Sequence, residues 1–287
     1  MGFGDDIMAT AEAREAKKNN PNTNIVIGDG KKIFNSVIFL NNPNIYQKDE
    51  LNDNEKFFWI KNYINNRPYI NYKKTNKTKI YWNEDFVTKP GDIFLTENEK
   101  VSGLEIVKQS TKLWEDKFGK KSKFVFIIEP NIKSQIYSSL VGSRTIGDTN
   151  LNRDWGFERW QKLVDCLCEE VTFIQTFKGN VRKLRGVIDV ECNFRNAMSI
   201  LKNSNAFIGH HSGLSHAAAA LNKPAINIFG GWISPEITGY ESHTNFYIAD
   251  SDSPCGSKTQ CLHCSKCMDQ IKVHDVVDCC KTMILNS

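Results

Sequence analysis

Three histidines, His210, His211 and His216, fall within seven residues of one another, interleaved with Ser212, Gly213 and Ser215. Imidazole and hydroxyl groups at this density, on a glycine-containing turn, suit recognition of a polar ligand. The stretch reads as a short apolar strand (Asn205–Gly209), a tight turn, and a helix that begins at once and is propagated by Ala217–Ala220. Ser212 is suited to the N-cap, and Gly213 lacks the Cβ that would hold a ligand away from the backbone. A helix N-terminus offers free amides and the positive end of a dipole, a site for phosphate or carboxylate. The same residues would also serve as a packing unit of an α/β domain with polar turns.

A second cluster is made of sulfur. Six of the nine cysteines lie after residue 254, and Cys261, Cys264 and Cys267 follow one another at intervals of three, with Cys255 six residues earlier. Four thiolates in that spacing could close a tetrahedral structural zinc or iron site. Free thiols and a redox-linked centre are the alternatives. Cys166, Cys168 and Cys192 read as inert core thiols. A third candidate is the acidic pair Asp5 and Asp6, at the start of a helix over Asp6–Lys18, where either acid would complement the helix dipole.

The elements that position these groups follow an α/β rhythm. After the Ala-rich helix come Asn222-Lys223-Pro224 and a buried strand, Ala225–Phe229, ending in Gly230-Gly231-Trp232. Two strands flanking one helix form a βαβ unit, and ligands bind at the carboxyl ends of such strands. Upstream, strands are expected at Asn24–Asp29, Ser36–Leu40, Arg67–Tyr72, Asp92–Thr96, Lys123–Glu129, Val171–Thr176 and Val187–Val190. Phe57-Phe58-Trp59 reads as a hydrophobic plug, with part of an acceptor surface as the alternative. Helices are expected over Leu104–Phe118, from Trp155 to about Cys168, over Arg195–Asn203 and over His274–Leu285. A polar loop, Asn131–Asn150, would lie over a cleft, and Gly119-Lys120-Lys121-Ser122 suits a hinge between domains 1–120 and 121–287.

Gly209-His210-His211-Ser212-Gly213-Leu214-Ser215-His216, followed by the Ala-rich helix, Lys223-Pro224, an apolar strand and Phe229-Gly230, resembles the donor loop of the heptosyltransferase-like glycosyltransferases. Their pattern is Gly-x-Asp-Thr-Gly-x-x-His; here His211 stands in place of the Asp and Ser212 in place of the Thr. The resemblance runs from about Asn152 to the end of the chain, with one earlier point at Gly4-Asp5. It implies a B-type glycosyltransferase fold, two doubly wound Rossmann-like α/β domains facing across a cleft; in the family a strand precedes the Gly4-Asp5 loop, and here the expectation is a sheet without that first strand. Residues 1–120 would take the acceptor and 121–287 the donor. It implies donor binding by Arg153, His211, Ser212, Gly213, Leu214 and His216, with Arg153 on the position of the family's phosphate-contacting Lys. It implies Asp5 as the general base on the acceptor hydroxyl. Relatives also carry cysteines ahead of their final helix.

The expected activity is transfer of a hexosyl or heptosyl unit from a nucleotide-diphosphate sugar to a hydroxyl of a glycan, lipid-linked or protein acceptor, as in lipopolysaccharide or glycan biosynthesis. Inversion and metal-independent chemistry are expected, with no catalytic cofactor and any zinc or iron at Cys255, Cys261, Cys264 and Cys267 structural. A nucleotide-sugar epimerase on the same fold and a non-catalytic nucleotide-sugar-binding relic are the rival readings. At 287 residues the chain is long enough for two domains; 40% hydrophobic and 24% charged residues are ordinary for a globular protein. A net charge of +4 gives no argument for nucleic acid, and no apolar run approaches the roughly 18 residues of a membrane span. The start shows neither a basic nor an apolar leader region, so cytoplasmic residence is the expectation.

Overall fold

A computed structural model describes residues 2–52, 54–63, 66–132 and 149–286. Its centre is a six-stranded parallel sheet of β3 (Val125–Glu129), β4 (Thr172–Phe177), β5 (Ile188–Glu191), β6 (Ala206–His210), β7 (Ala225–Gly230) and β8 (Thr244–Tyr247). The strand order is β5-β4-β3-β6-β7-β8, every pair parallel. This is the doubly wound order, whose direction reverses between β3 and β6; ligands bind outside the carboxyl ends of the strands at that reversal. The strands β3, β6 and β7 are apolar along nearly their whole length, as a sheet covered on both faces requires.

Helices cover both faces. The amphipathic α3 (Phe157–Leu167) and the final α8 (Val273–Leu285) pack together on one side, where Trp160, Leu163, Val164 and Val276 are fully buried with the outer faces of β3 and β6. On the other side lie α4 (Phe194–Asn203) and the short α5 (Gly213–Ala220), whose alanines let it lie flat on the sheet. The short α6 (Pro235–Thr238) follows β7, and α7 (Leu262–Gln270) precedes α8.

The N-terminal half is α/β but sparse in strands. The first helix, α1 (Phe3–Asn19), packs on α5 and on a two-stranded parallel sheet of β1 (Asn24–Ile27) and β2 (Phe57–Ile60). Phe57-Phe58-Trp59 is therefore a strand and not a plug; three aromatics in a row carried no alternation to reveal it. Ser36–Leu40 forms turns, Arg67–Tyr72 makes only an isolated bridge from Ile70 to Trp82, and Asp92–Thr96 is extended without pairing. Strand-like composition there serves instead to run chain across α1: the Asp92 N–H donates to Thr10 Oγ1 (2.6 Å) and Arg14 pairs with Asp92.

Helix α2 (Glu97–Phe118) begins at a reciprocal cap between Thr96 and Glu99, seven residues before the expected Leu104. It lies along α4 and is fixed there by Arg195, whose guanidinium is 7% exposed, pairs with Glu99 and donates to the carbonyls of Val37 and Phe94 (2.7 Å each). A Cβ at Gly103 would lie 2.4 Å from the Ser199 carbonyl oxygen, so the two helices meet backbone to backbone. Most of the expected Asn131–Asn150 loop, residues 133–148, lies outside the described residues. Among the described residues no helix is long and apolar enough to cross a membrane.

Candidate nucleotide-sugar site

A cleft of about 870 Å³ opens at the carboxyl ends of β3, β4 and β6 and is also lined by the start of α1 and by Arg67, Tyr69 and Ile70. Asp5, Arg153, His211, Ser212, Gly213, Leu214 and His216 all line it. Residues as far as 211 positions apart in sequence, Asp5 and His216, therefore face one space.

The turn after β6 holds α5 with its first amides open. The Ser215 hydroxyl accepts from the Ser212 N–H (3.1 Å) and donates to the Ser212 carbonyl (2.8 Å). The Ser212 hydroxyl donates instead to the Glu129 carboxylate at the end of β3. The amides of Gly213 and Leu214 belong to the first turn and have no intrahelical partner. Gly213 also sits in a tight space: a Cβ there would stand 3.2 Å from the Phe194 ring and 3.5 Å from Phe3. Those two rings stack at 4.3 Å, joining α1 to α4 across the turn.

The histidines divide by role. His210 is a packing residue, contrary to the expectation drawn from histidine density. Its Nε2 accepts from the Trp155 N–H (3.0 Å) and from Trp160 Nε1 (3.3 Å). His216 Nδ1 bonds the Tyr240 hydroxyl (2.7 Å), and its ring abuts Gly4, where a Cβ would come within 2.8 Å. His211 stacks on Phe229 (4.5 Å) and stands edge-on to His216 (5.0 Å). Burial holds His210 and His216 at about 3 and His211 well below the usual imidazole range. All three are neutral at pH 7, so none replaces the negative charge of an aspartate.

Arg153 is set in place from several directions. It ends a 3-10 turn (Thr149–Arg153), and Nη1 reaches toward the His211 carbonyl (3.4 Å). Its guanidinium lies 5.0 Å from the Trp232 ring centre. On one side Asn152, 2% exposed, donates to the carbonyls of Ser257 and Thr259 and accepts from the Cys261 N–H. On the other, Trp155 is tied to His210. A positive charge is thereby held beside the open helix N-terminus.

Asp5 and Asp6 separate clearly. Asp5 Oδ1 accepts from the Tyr69 hydroxyl (2.6 Å) and Oδ2 from Arg67 Nε (3.0 Å), with the carboxylate on the cleft wall. Asp6 turns away to accept from the Ser36 hydroxyl (2.6 Å), and burial pushes its carboxyl above the usual range. Neither Arg67 nor Tyr69 carried a sequence signal as a partner of Asp5. Glu129 was also passed over, although an acid ending an apolar strand just before Pro130 was visible. Burial raises its carboxyl to about 7, against the Ser212 hydrogen bond and the charge of Arg153.

The cysteines are brought together, with one change of membership. Ligand atoms of Cys255, Cys261, His263 and Cys264 all lie within 4.8 Å of one another, and the Cys255 and Cys261 sulfurs are 3.6 Å apart. Tetrahedral zinc with Zn–S bonds near 2.3 Å places its sulfurs about 3.8 Å apart, so the group fits such an ion. Cys267, one turn further along α7, sits instead against His263 Nε2 (3.3 Å) and near Asp250. It packs so tightly on the β7 turn that a Cβ at Gly231 would come within 2.5 Å of its sulfur. The expectation of inert core thiols fails for Cys166, which is exposed.

Residues 149–273 match the family model for glycosyltransferase family 9 (heptosyltransferase). Among solved structures, the Escherichia coli ADP-heptose LPS heptosyltransferase II is similar at 14% identity and a TM-score of 0.44, over 68% of this chain and 54% of that one. A glycosyl transferase family 9 protein of Veillonella parvula gives 12% identity and 0.42, over 70% and 55%. The dodecameric iron-containing heptosyltransferase TibC, in complex with ADP-D-beta-D-heptose, gives 16% and 0.37, over 56% and 44%. The chain thus spans about half the length of the solved structures it matches. A comparison with curated protein sequences returns no match.

Proposed function

We propose that this protein, whose residues 149–273 are glycosyltransferase-family-9-like, transfers a glycosyl unit from a nucleotide-diphosphate sugar to a hydroxyl acceptor. The observation that carries the reading is the convergence of Arg153, the N-terminus of α5 and the Asp5 carboxylate on one cleft. In this reading the Gly213 and Leu214 amides and Arg153 neutralise the diphosphate, in the ground state and as it departs. Residues 121–287 would hold the donor and residues 1–120 the acceptor.

Asp5 would accept the proton of the attacking hydroxyl. Its two hydrogen bonds leave carboxylate lone pairs for the acceptor, and the Arg67 charge and Tyr69 hydroxyl fix its orientation. Attack from the side opposite the diphosphate implies inversion at the sugar carbon. The Cys255, Cys261, Cys264 and His263 group would hold a structural zinc or iron. Through the Asn152 contacts to residues 257–261, that group braces the turn carrying Arg153. Which sugar, base and acceptor are used is a question for a donor panel. A thermal-shift screen of ADP-, GDP-, UDP- and CDP-sugars should give a rise in Tm with one base, because a ligand of the folded state stabilises it. Nucleoside diphosphate release with that sugar should follow. No rise with any of the four would refute the donor assignment.

A further inference from the structure

Glu129 occupies a place that the proposed transfer chemistry does not use. It ends β3, directly opposite Gly209 on β6, so it stands at the point where the strand order reverses. A Cβ at Gly209 would lie 2.5 Å from the Phe207 ring and 3.1 Å from both the Cβ and the carbonyl oxygen of Glu129, so the two strands meet closely there. The Glu129 carboxylate receives the hydroxyl of Ser212, the residue that starts α5. A carboxylate is thus held against the same helix N-terminus that the donor reading assigns to a diphosphate. Two anions cannot share that corner without a proton or a cation between them.

We propose that Glu129 is the proton-taking group of the donor site, so that binding of a sugar diphosphate is coupled to uptake of one proton at its carboxyl. The proposal rests on the donor reading given above. Protonated, Glu129 presents an O–H to the phosphate oxygens in place of a repelling charge. The surroundings make it the group that changes. Among the described residues that line the cleft, the cations are Arg153 from the 3-10 turn, Lys178 after β4, and Arg67, the last paired with Asp5. His210, His211 and His216, beside and behind the turn, are already neutral at pH 7, and Cys192 is held near 11 by burial. The Glu129 carboxyl itself stands near 7 before any second anion arrives, so a small push suffices. Because the bound state holds the proton more tightly, affinity is greatest below neutrality and falls as pH rises above it.

The test is calorimetric titration of the whole chain with ADP-glucose, UDP-glucose and GDP-mannose, whose diphosphate diesters do not themselves titrate near neutrality. Run in two buffers of different ionisation enthalpy at pH 7.5, the binding heat should differ by an amount corresponding to uptake of most of one proton. Affinity should fall about thirtyfold between pH 6 and pH 8.5 for full coupling to a group near 7. Glu129→Gln, which mimics the protonated acid, should bind with little pH dependence and no proton uptake. Binding of wild type with the same heat in both buffers and a flat pH profile would overturn the proposal and leave the donor site standing. Proton uptake unchanged in Glu129→Gln would assign it to another group and overturn it likewise. Absence of binding by all three ligands at every pH would overturn the donor reading and this proposal together. If Glu129→Gln fails to fold, the wild-type buffer comparison and pH profile decide alone.

Discussion

Replacing Asp5 by Asn separates a catalytic carboxylate from a structural one. The side chain is 6% exposed and takes two hydrogen bonds, one from the Arg67 guanidinium and one from the Tyr69 hydroxyl. Asparagine keeps one acceptor oxygen, which can satisfy one donor, and turns an NH2 toward the other. A charge-assisted hydrogen bond at a buried site contributes about 1.5–3 kcal/mol. Arg67 is 44% exposed and can be rehydrated, so the expected loss is discounted to about 1–2 kcal/mol. For a chain of this size that lowers Tm by about 2–6 °C. Transfer should fall about a hundredfold or more, the usual contribution of a general base, with donor affinity retained. The assays are thermal melting, donor titration and initial-rate transfer on the same preparation. Asp6→Asn is the control: Asp6 faces Ser36 and not the cleft, so that variant should transfer at the wild-type rate. An Asp5→Asn protein that melts lower yet transfers normally would show that Asp5 only clasps the Arg67–Tyr69 segment to α1, and would refute its role as base.

The cysteine group should carry about one zinc or iron per chain by elemental analysis, and Cys264→Ser should lower both metal content and Tm, since binding energy at such a site is folding energy. Metal-free protein with the same Tm would exclude a structural ion. Stability should fall steeply on acidification. His210, His216 and His243 are held at about 3, about 3 and about 4 by burial, below the unfolded value of 6.5, so the unfolded chain binds protons the folded one does not. Their contribution is complete above pH 6.5 and is lost at up to about 1.4 kcal/mol per pH unit each as pH falls toward 3–4. The raised carboxyls of Glu129, Asp6 and Glu12 act in the opposite sense, Glu129 between 4.5 and 7, against four depressed imidazoles once His211 is included. Urea titrations at pH 7.5 and 5.5 check this; equal midpoints would mean the imidazoles are hydrated. Gly213→Val should cost about 1–3 kcal/mol by pushing on the Phe194–Phe3 stack as well as impairing donor binding. A variant of unchanged Tm would show that the stack moves freely.

The central strands of the doubly wound sheet were legible because β3, β6 and β7 are short apolar runs beside glycine or proline, whereas the edge strand β8, polar and half-exposed, was not expected. Lys123–Glu129, Val171–Thr176 and Ala225–Phe229 each fall within a residue or two of β3, β4 and β7. The N-terminal half was misread where aromatic and β-branched residues serve a loop. Ser36–Leu40 and Asp92–Thr96 are anchored by side chains of α1 and by Arg195, contacts that no local pattern encodes. In the site, residue density and the family resemblance together singled out the turn after β6, and spacing singled out the cysteines. The placement of Glu129 beside Ser212 depends on strand order, which brings residues 83 positions apart together. Histidine density misled at His210 for the converse reason. A polar residue type suggested ligand contact, while burial made His210 an acceptor for two tryptophan N–H groups.

Arg153→Ala, titrated with the nucleotide sugar that stabilises the wild type and with the matching nucleoside, tests most directly whether this cleft binds a diphosphate. Loss of a guanidinium contact to phosphate should weaken the nucleotide sugar by about 10- to 150-fold, the equivalent of about 1.5–3 kcal/mol, and leave the nucleoside unchanged. Equal losses for both ligands, or none for either, would contradict the assignment of Arg153 and the α5 N-terminus to the donor phosphates.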